Sequence, residues 1–228
     1  GARVTEWRPP DARRALHLWL SVIAADGGKH YKRILRGSKV DPRLGANLLL
    51  ILRSRPTLAV IRGLLWLTGQ RGLADLVSTF GRKDALHYFE LTEAQAGYQR
   101  QFAQAMDGDE GGPFDVILCA AAPVPAIRHG DSRFIATAGA YDVLYNVLGY
   151  PAGVVPVTRV RPGEDAPRKR TVDLMRRAAR QAEIGSAGLP VGVQVVARPW
   201  REHVALAAML AIEEAARAQP DYPESPPL

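Results

Sequence analysis

Gly188-Leu189-Pro190, running into Val191-Gly192-Val193-Gln194-Val195-Val196, is a turn that feeds a short strand rich in β-branched residues. Its apolar residues do not alternate with polar ones, so both faces of the strand call for cover. Two other runs share this texture: Phe114 to Leu118, and Gly153 to Thr158. Helical patterns lie between and after them, at Gly139 to Leu148, Val172 to about Ile184 and Trp200 to Ala218. Non-alternating strands separated by helices spell an α/β fold with a buried sheet.

Working outward toward the N-terminus, the texture becomes helical. Val4 to Trp7 reads as a short strand closed by Pro9-Pro10. Ala12 to Ala24 reads as a helix with Leu16, Trp19, Leu20 and Ile23 on one face, ended by the Asp26-Gly27-Gly28 turn. A polar loop follows. Asp41-Pro42 then offers a cap and a first-turn proline, with Leu44, Leu48, Ile51 and Leu52 at helical spacing. Thr57 to Thr68 is apolar almost all round, with Arg62 its single charge, and Gly69 to Gly72 turns the chain. Beyond it Leu73, Leu76, Val77 and Phe80 share a helix face. Asp84 to Met106 reads as a longer helix carrying Leu86, Phe89, Tyr98 and Phe102, and Asp107 to Pro113 as a loop.

Composition sets limits on function. The chain has 228 residues, 47% of them hydrophobic, which is enough to bury a core and excludes a disordered chain. A net charge of +7, with a pI near 9.8, favours anionic partners. The arginines are spread along the chain, and no basic patch is interleaved with aromatics, so nucleic acid is a poor candidate. The apolar stretch Leu58 to Leu67 is too short to span a bilayer, which takes about 20 residues. No signal peptide is visible at the N-terminus. With one cysteine, Cys119, no internal disulfide can form, and a cytosol-facing protein, cytoplasmic or peripheral on a membrane, is the expectation.

Chemistry is scarce in the residues themselves. There is no Gly-x-Ser-x-Gly elbow, no phosphate-binding Gly-x-x-x-x-Gly-Lys loop and no pair of metal ligands at a usable spacing. His17, His30, His87, His129 and His203 are scattered and read as neither bases nor ligands. Cys119 follows an apolar strand and reads as a structural thiol. Asn146 and Gln194 read as hydrogen-bonders that satisfy buried backbone groups.

Three stretches together carry a resemblance. These are Phe114-Asp115-Val116-Ile117-Leu118-Cys119-Ala120-Ala121-Ala122-Pro123, Tyr145 to Val157 with its Gly149-Tyr150-Pro151-Ala152-Gly153 and Val155-Pro156-Val157, and Gly188 to Trp200. In order and spacing they resemble the amidase-signature family, nearest to the fatty-acid amide hydrolases. The likeness extends to Asp26-Gly27-Gly28, Val40-Asp41-Pro42, Leu48 to Arg53 and Val143-Leu144-Tyr145-Asn146.

The resemblance implies the C-terminal part of the amidase-signature fold: a mixed, mostly parallel sheet wrapped by helices, with a helical cap hairpin. It reads 1–228 as one partial amidase domain, with a membrane-cap hairpin at 57–80 and the last strands and helices of the core sheet at 114–218. It implies hydrolysis of amide bonds, extending to fatty-acyl amides, by a Ser, a bridging Ser and a Lys set in a Gly/Ser-rich segment. Ser21, Ser38, Ser54, Ser78, Ser132 and Ser186 all lack such surroundings, so no catalytic residue is assigned and the chain alone is expected to be inactive. The reading of Val4 to Trp7 as a strand without a preceding helix adds the expectation of an upstream continuation.

By the same resemblance, Leu76, Phe80, Ala136, Gly139 and Val143 fall where the family lines its acyl channel, and Leu58, Ile61, Leu64, Leu65 and Trp66 fall on the membrane cap. Ala136 and Gly139 are smaller than expected there. The partners implied are an apolar amide substrate and a peripheral membrane surface, with a homodimer left open; no cofactor, metal or nucleic acid is expected. A non-catalytic, membrane-associated α/β module is the competing reading.

Overall fold

The computed structural model describes residues 2–39, 41, 50–108, 112–131 and 140–224. Pro42, Leu44 and Leu48 of the expected second helix lie outside these, as do Ala136 and Gly139 of the expected channel wall.

Helix α1 (Ala12–Ile23) starts at Asp11, whose side chain accepts the Arg14 N–H at 3.1 Å. Gly27 (φ 68°) and Gly28 (φ 76°) end its last turn in the left-handed region. Asp26 then takes the Gly28 and His30 N–H groups at 2.7 and 2.6 Å, and so opens α2 (Lys29–Ile34) where the sequence suggested only a loop. Next come α3 (Arg55–Leu67), with Pro56 in its first turn, and α4 (Arg71–Ser78), which pack against each other as a hairpin. Helix α5 (Ala85–Gly108) runs further than the pattern indicated and takes in the start of the expected loop. The C-terminal half follows as β1 (Val116–Ala120), α6 (Ala140–Leu148), β2 (Ala152–Arg159), α7 (Leu174–Glu183), β3 (Pro190–Ala197) and α8 (Glu202–Arg217).

The strands form one sheet in the order β1-β3-β2, and the chain is α/β as expected. Strand direction is a correction. Both pairings among the described residues are antiparallel, with Leu118 opposite Val195 on one side of β3 and Gly153 opposite Val195 on the other. A continuous apolar run reports that both faces are covered, not which way the neighbour runs. Val195, Val196 and Ala197 of the central strand are fully buried. Pro156 is tolerated because β2 lies at the edge of this sheet and its register shifts there.

Val4 to Trp7 form no strand, a second correction: none of the described strands pairs with them. Trp7 is instead a packing residue, edge-on to Phe102 at 5.4 Å and tilted against Phe114 at 5.6 Å. These residues therefore carry no argument about what precedes them. Around them α1, α5 and α6 close over one face of the sheet, joining Ala15, Leu18, Tyr98, Phe102, Met106, Leu144, Val147 and Val196 in one core. Gln95 and Gln99 of α5 both donate to the Val147 carbonyl, at 3.4 and 2.7 Å, and so fix the end of α6. The opposite face of β2 and β3 is covered by α8. Of the apolar positions of α5, Leu86 and Phe89 are largely exposed, and the buried ones begin at Tyr98.

Candidate functional site

Where α1 and α6 meet β1, the packing leaves an apolar cavity of about 510 Å³. Its walls include Trp7 and Leu16 from the N-terminal side, Ile117 and Cys119 from β1, and Leu144 and Tyr145 from α6. The local sequence explains the wall: helix α6 reads Ala140-Tyr141-Asp142-Val143-Leu144-Tyr145, so positions 140, 141, 144 and 145 fall on one side at the helical period and Val143 turns away into the core. A cavity of this size and lining suits an extended apolar group, since each methylene buried contributes about 0.8 kcal/mol.

One polar cluster faces this wall. Cys119 Sγ lies 3.5 Å from the Tyr145 hydroxyl and donates to Gln194 Oε1 at 3.6 Å. Burial pushes the Cys119 thiol up, against a smaller lowering by the bond from Tyr145. Burial likewise pushes the Tyr145 hydroxyl strongly up, with the Cys119 bond adding to it. Both groups are thus held protonated, and the cluster can orient a polar atom but supplies neither a thiolate nor a base. Gln194 is buried, as expected, but its side chain bonds to the Cys119 thiol and, among the described residues, not to the backbone; Asn146, read the same way, is exposed.

Among the serines, Ser186 is 2% exposed, and its Oγ has no hydrogen-bond partner among the described residues, so no base reaches it. Among the described residues no group of His, Cys, Asp or Glu is placed to hold a metal ion. His17 is engaged elsewhere: its Nε2 lies 2.8 Å from Asp75 Oδ2, and Arg13 donates twice to the same carboxylate, at 3.2 and 2.7 Å.

The residues expected along a channel are distributed as follows. Val143 is in the core, one position from the cavity wall on the same helix. Leu76 is buried in α4, and Phe80 lines a separate groove with Arg55, Leu58 and Lys83. Sequence reasoning passed over Trp7, Leu16, Cys119 and Tyr145 as wall residues; Tyr145 was visible in the motif, but only the fold brings it to Cys119.

Of the residues expected on the cap, Leu58 is buried, Ile61 and Leu65 are half-buried, and Leu64 and Trp66 are exposed at 59% and 61%. Val60 and Leu67, at 63% and 75%, extend the exposed apolar face. Among the described residues no helix is long and apolar enough to cross a membrane.

Comparison with known proteins agrees with this architecture. The family model described as Amidase matches residues 1–206. The chain is 32% identical over 226 residues to fatty acid amide hydrolase 1 of Caenorhabditis elegans, covering 93% of this chain and 37% of that protein. It is 31% identical over 198 residues to fatty-acid amide hydrolase 1 of Sus scrofa, covering 84% and 33%. A solved fatty acid amide hydrolase superposes with a TM-score of 0.64 at 17% identity, covering 95% of this chain and 34% of that one, a likeness of fold. The chain spans about a third of the length of the curated relatives it matches. With the family model matching most of its length, the chain belongs to the amidase family.

Proposed function

We propose that this chain is the acyl-binding and membrane-facing portion of an amide hydrolase that acts on fatty-acyl amides. The observation that carries the reading is the apolar cavity between α1, β1 and α6, whose Cys119 and Tyr145 are held uncharged and whose lining cation, Arg13, is paired with Asp75. Such a wall holds a lipid tail and leaves bond cleavage to groups elsewhere in the protein. In a hydrolase of this kind a serine attacks the amide carbonyl, a lysine takes the serine proton through a bridging serine, and the amine leaves as it is protonated. The described residues would bind and orient the tail.

The exposed apolar face of α3 supports the membrane part of this proposal. Val60, Leu64 and Leu67 recur at i, i+4 and i+7, a stripe that seats in the headgroup boundary. Replacing Leu64 and Leu67 by Glu is expected to abolish co-flotation with neutral liposomes.

Hydrolysis of an acyl-amide series by a protein carrying this segment together with a Ser-Ser-Lys segment tests the reading. The rate should rise with tail length, and Ala140→Phe, which fills the cavity, should shift the preference to shorter tails. A profile indifferent to length before and after that change contradicts it. The 228 residues contain no extended Gly/Ser-rich segment, and Ser186, between Gly185 and Gly188, is buried with no base at its Oγ among the described residues, which favours a second reading, a non-catalytic membrane-associated module. Stoichiometric labelling of the isolated chain by a serine-directed fluorophosphonate would count against both the module and the expected inactivity of the chain alone.

A further inference from the structure

The segment Arg168-Lys169-Arg170-Thr171-Val172-Asp173-Leu174-Met175-Arg176-Arg177 concentrates cations that the acyl site does not use. Two of its charged groups are committed. Arg168 pairs with Glu183, its Nε donating at 2.7 Å, and Asp173 caps α7 by accepting the Arg176 N–H at 2.8 Å. The side chains of Lys169, Arg170, Arg176 and Arg177 are exposed and have no carboxylate partner among the described residues; the same holds for Arg71, at the start of α4.

The fold ties this basic segment to the apolar hairpin. Gln70, buried between α3 and α4, donates to the Val172 carbonyl at 2.9 Å and accepts the Leu174 N–H at 2.8 Å. This reciprocal pair sets Arg71 beside Arg176 across a groove of about 570 Å³ that also contains Arg168 and Thr171. The end of α3, with Trp66 and Leu67 exposed, is a few residues from the same clamp.

We infer that Arg71, Lys169, Arg170, Arg176 and Arg177 form a headgroup-binding surface for anionic phospholipid, held next to the apolar face of α3 by Gln70. This rests on the membrane-facing reading of α3 and adds a second, electrostatic contact to it. An apolar stripe seats in the acyl boundary while neighbouring guanidinium and ammonium groups pair with phosphates, and the two contributions add. Nucleic acid is the weaker match for the same charge: residues 168–177 carry no aromatic on which a base could stack.

The test compares binding of the 228-residue chain to neutral phosphatidylcholine vesicles and to the same vesicles doped with phosphatidylserine. The wild type should bind the doped vesicles more tightly, with the difference shrinking as salt is raised. Lys169→Gln with Arg170→Gln, Arg176→Gln and Arg177→Gln should remove that difference, roughly a hundredfold or more at low ionic strength, and leave binding to neutral vesicles unchanged. A control of equal charge, Lys29→Gln with Lys32→Gln and Arg33→Gln on α2 and Arg36→Gln just after it, should keep most of it.

Equal loss in the control would reduce the effect to net charge and overturn the surface. Binding to neutral vesicles with no gain from phosphatidylserine overturns the surface and leaves the membrane-facing reading standing; binding to neither removes both. Capture of single-stranded nucleic acid through the four replaced residues, without binding to doped vesicles, reassigns the patch and overturns the proposal.

Discussion

Cys119 shows how little of a residue's role its own chemistry decides. Alone, a cysteine at the end of a strand is a candidate nucleophile; beside the Tyr145 hydroxyl and Gln194 Oε1, with burial raising its pKa, it is an inert wall group. Iodoacetamide at neutral pH should therefore modify Cys119 in the folded chain well below the rate of a free thiol, and unfolding should restore that rate. The structural reading of Cys119 was legible from its apolar neighbours. The Tyr145 contact was not, because 26 positions separate the two residues. Gly192 makes the complementary case: a Cβ there would sit 2.7 Å from Val154 Cγ1 and 3.1 Å from the Val155 carbonyl. Gly192→Ala should destabilise the chain by about 1–3 kcal/mol through overpacking at the β2–β3 contact, as read by urea denaturation.

Among the elements, the α3–α4 hairpin was read from its sequence as two apolar helices, and its attachment to the body was invisible there. Three anchors hold it: the Gln70 clamp, the Lys83 N–H to the Ala25 carbonyl at 2.8 Å, and Asp75 bonded by Arg13 and His17. Gln70→Ala strands the Leu174 N–H and the Val172 carbonyl, and should cost about 1–3 kcal/mol. Burial pushes the Asp75 carboxyl up, but the bonds from Arg13 and His17 outweigh it and the carboxyl sits below its ordinary value. A lowered folded-state value means the contribution is present in full above about pH 4 and is lost as the pH falls through that lower value. Hydrogen exchange in α4 should accelerate over that interval in the wild type and show no such step in Asp75→Asn. The helices themselves were legible because they are long and periodic, whereas strand direction and the short α2 were not. Direction depends on a partner distant in the chain, and α2 depends on Asp26 reaching two backbone N–H groups at once.

Taken as a whole, the molecule is an amidase-family chain with a sheet backed by α8, a cavity under α1 and α6, and a hairpin with an outward apolar face, and the proposal is that these bind an acyl amide. The family resemblance named Val143 for a channel wall; in the structure Val143 packs in the core beside Leu144 and Tyr145, and of these three only Leu144 and Tyr145 line the cavity, because a resemblance assigns positions and not directions. The cavity is the central claim, and Trp7 on its wall is a native reporter of its contents. A series of bromine-bearing acyl amides should quench Trp7 fluorescence in a chain whose other three tryptophans, Trp19, Trp66 and Trp200, are replaced by Phe. The account predicts that affinity rises with tail length by up to about fourfold per methylene, and that Ala140→Phe abolishes the quenching by the longer tails. Quenching that does not depend on tail length, or that survives Ala140→Phe undiminished, would contradict the assignment of this cavity to an acyl chain.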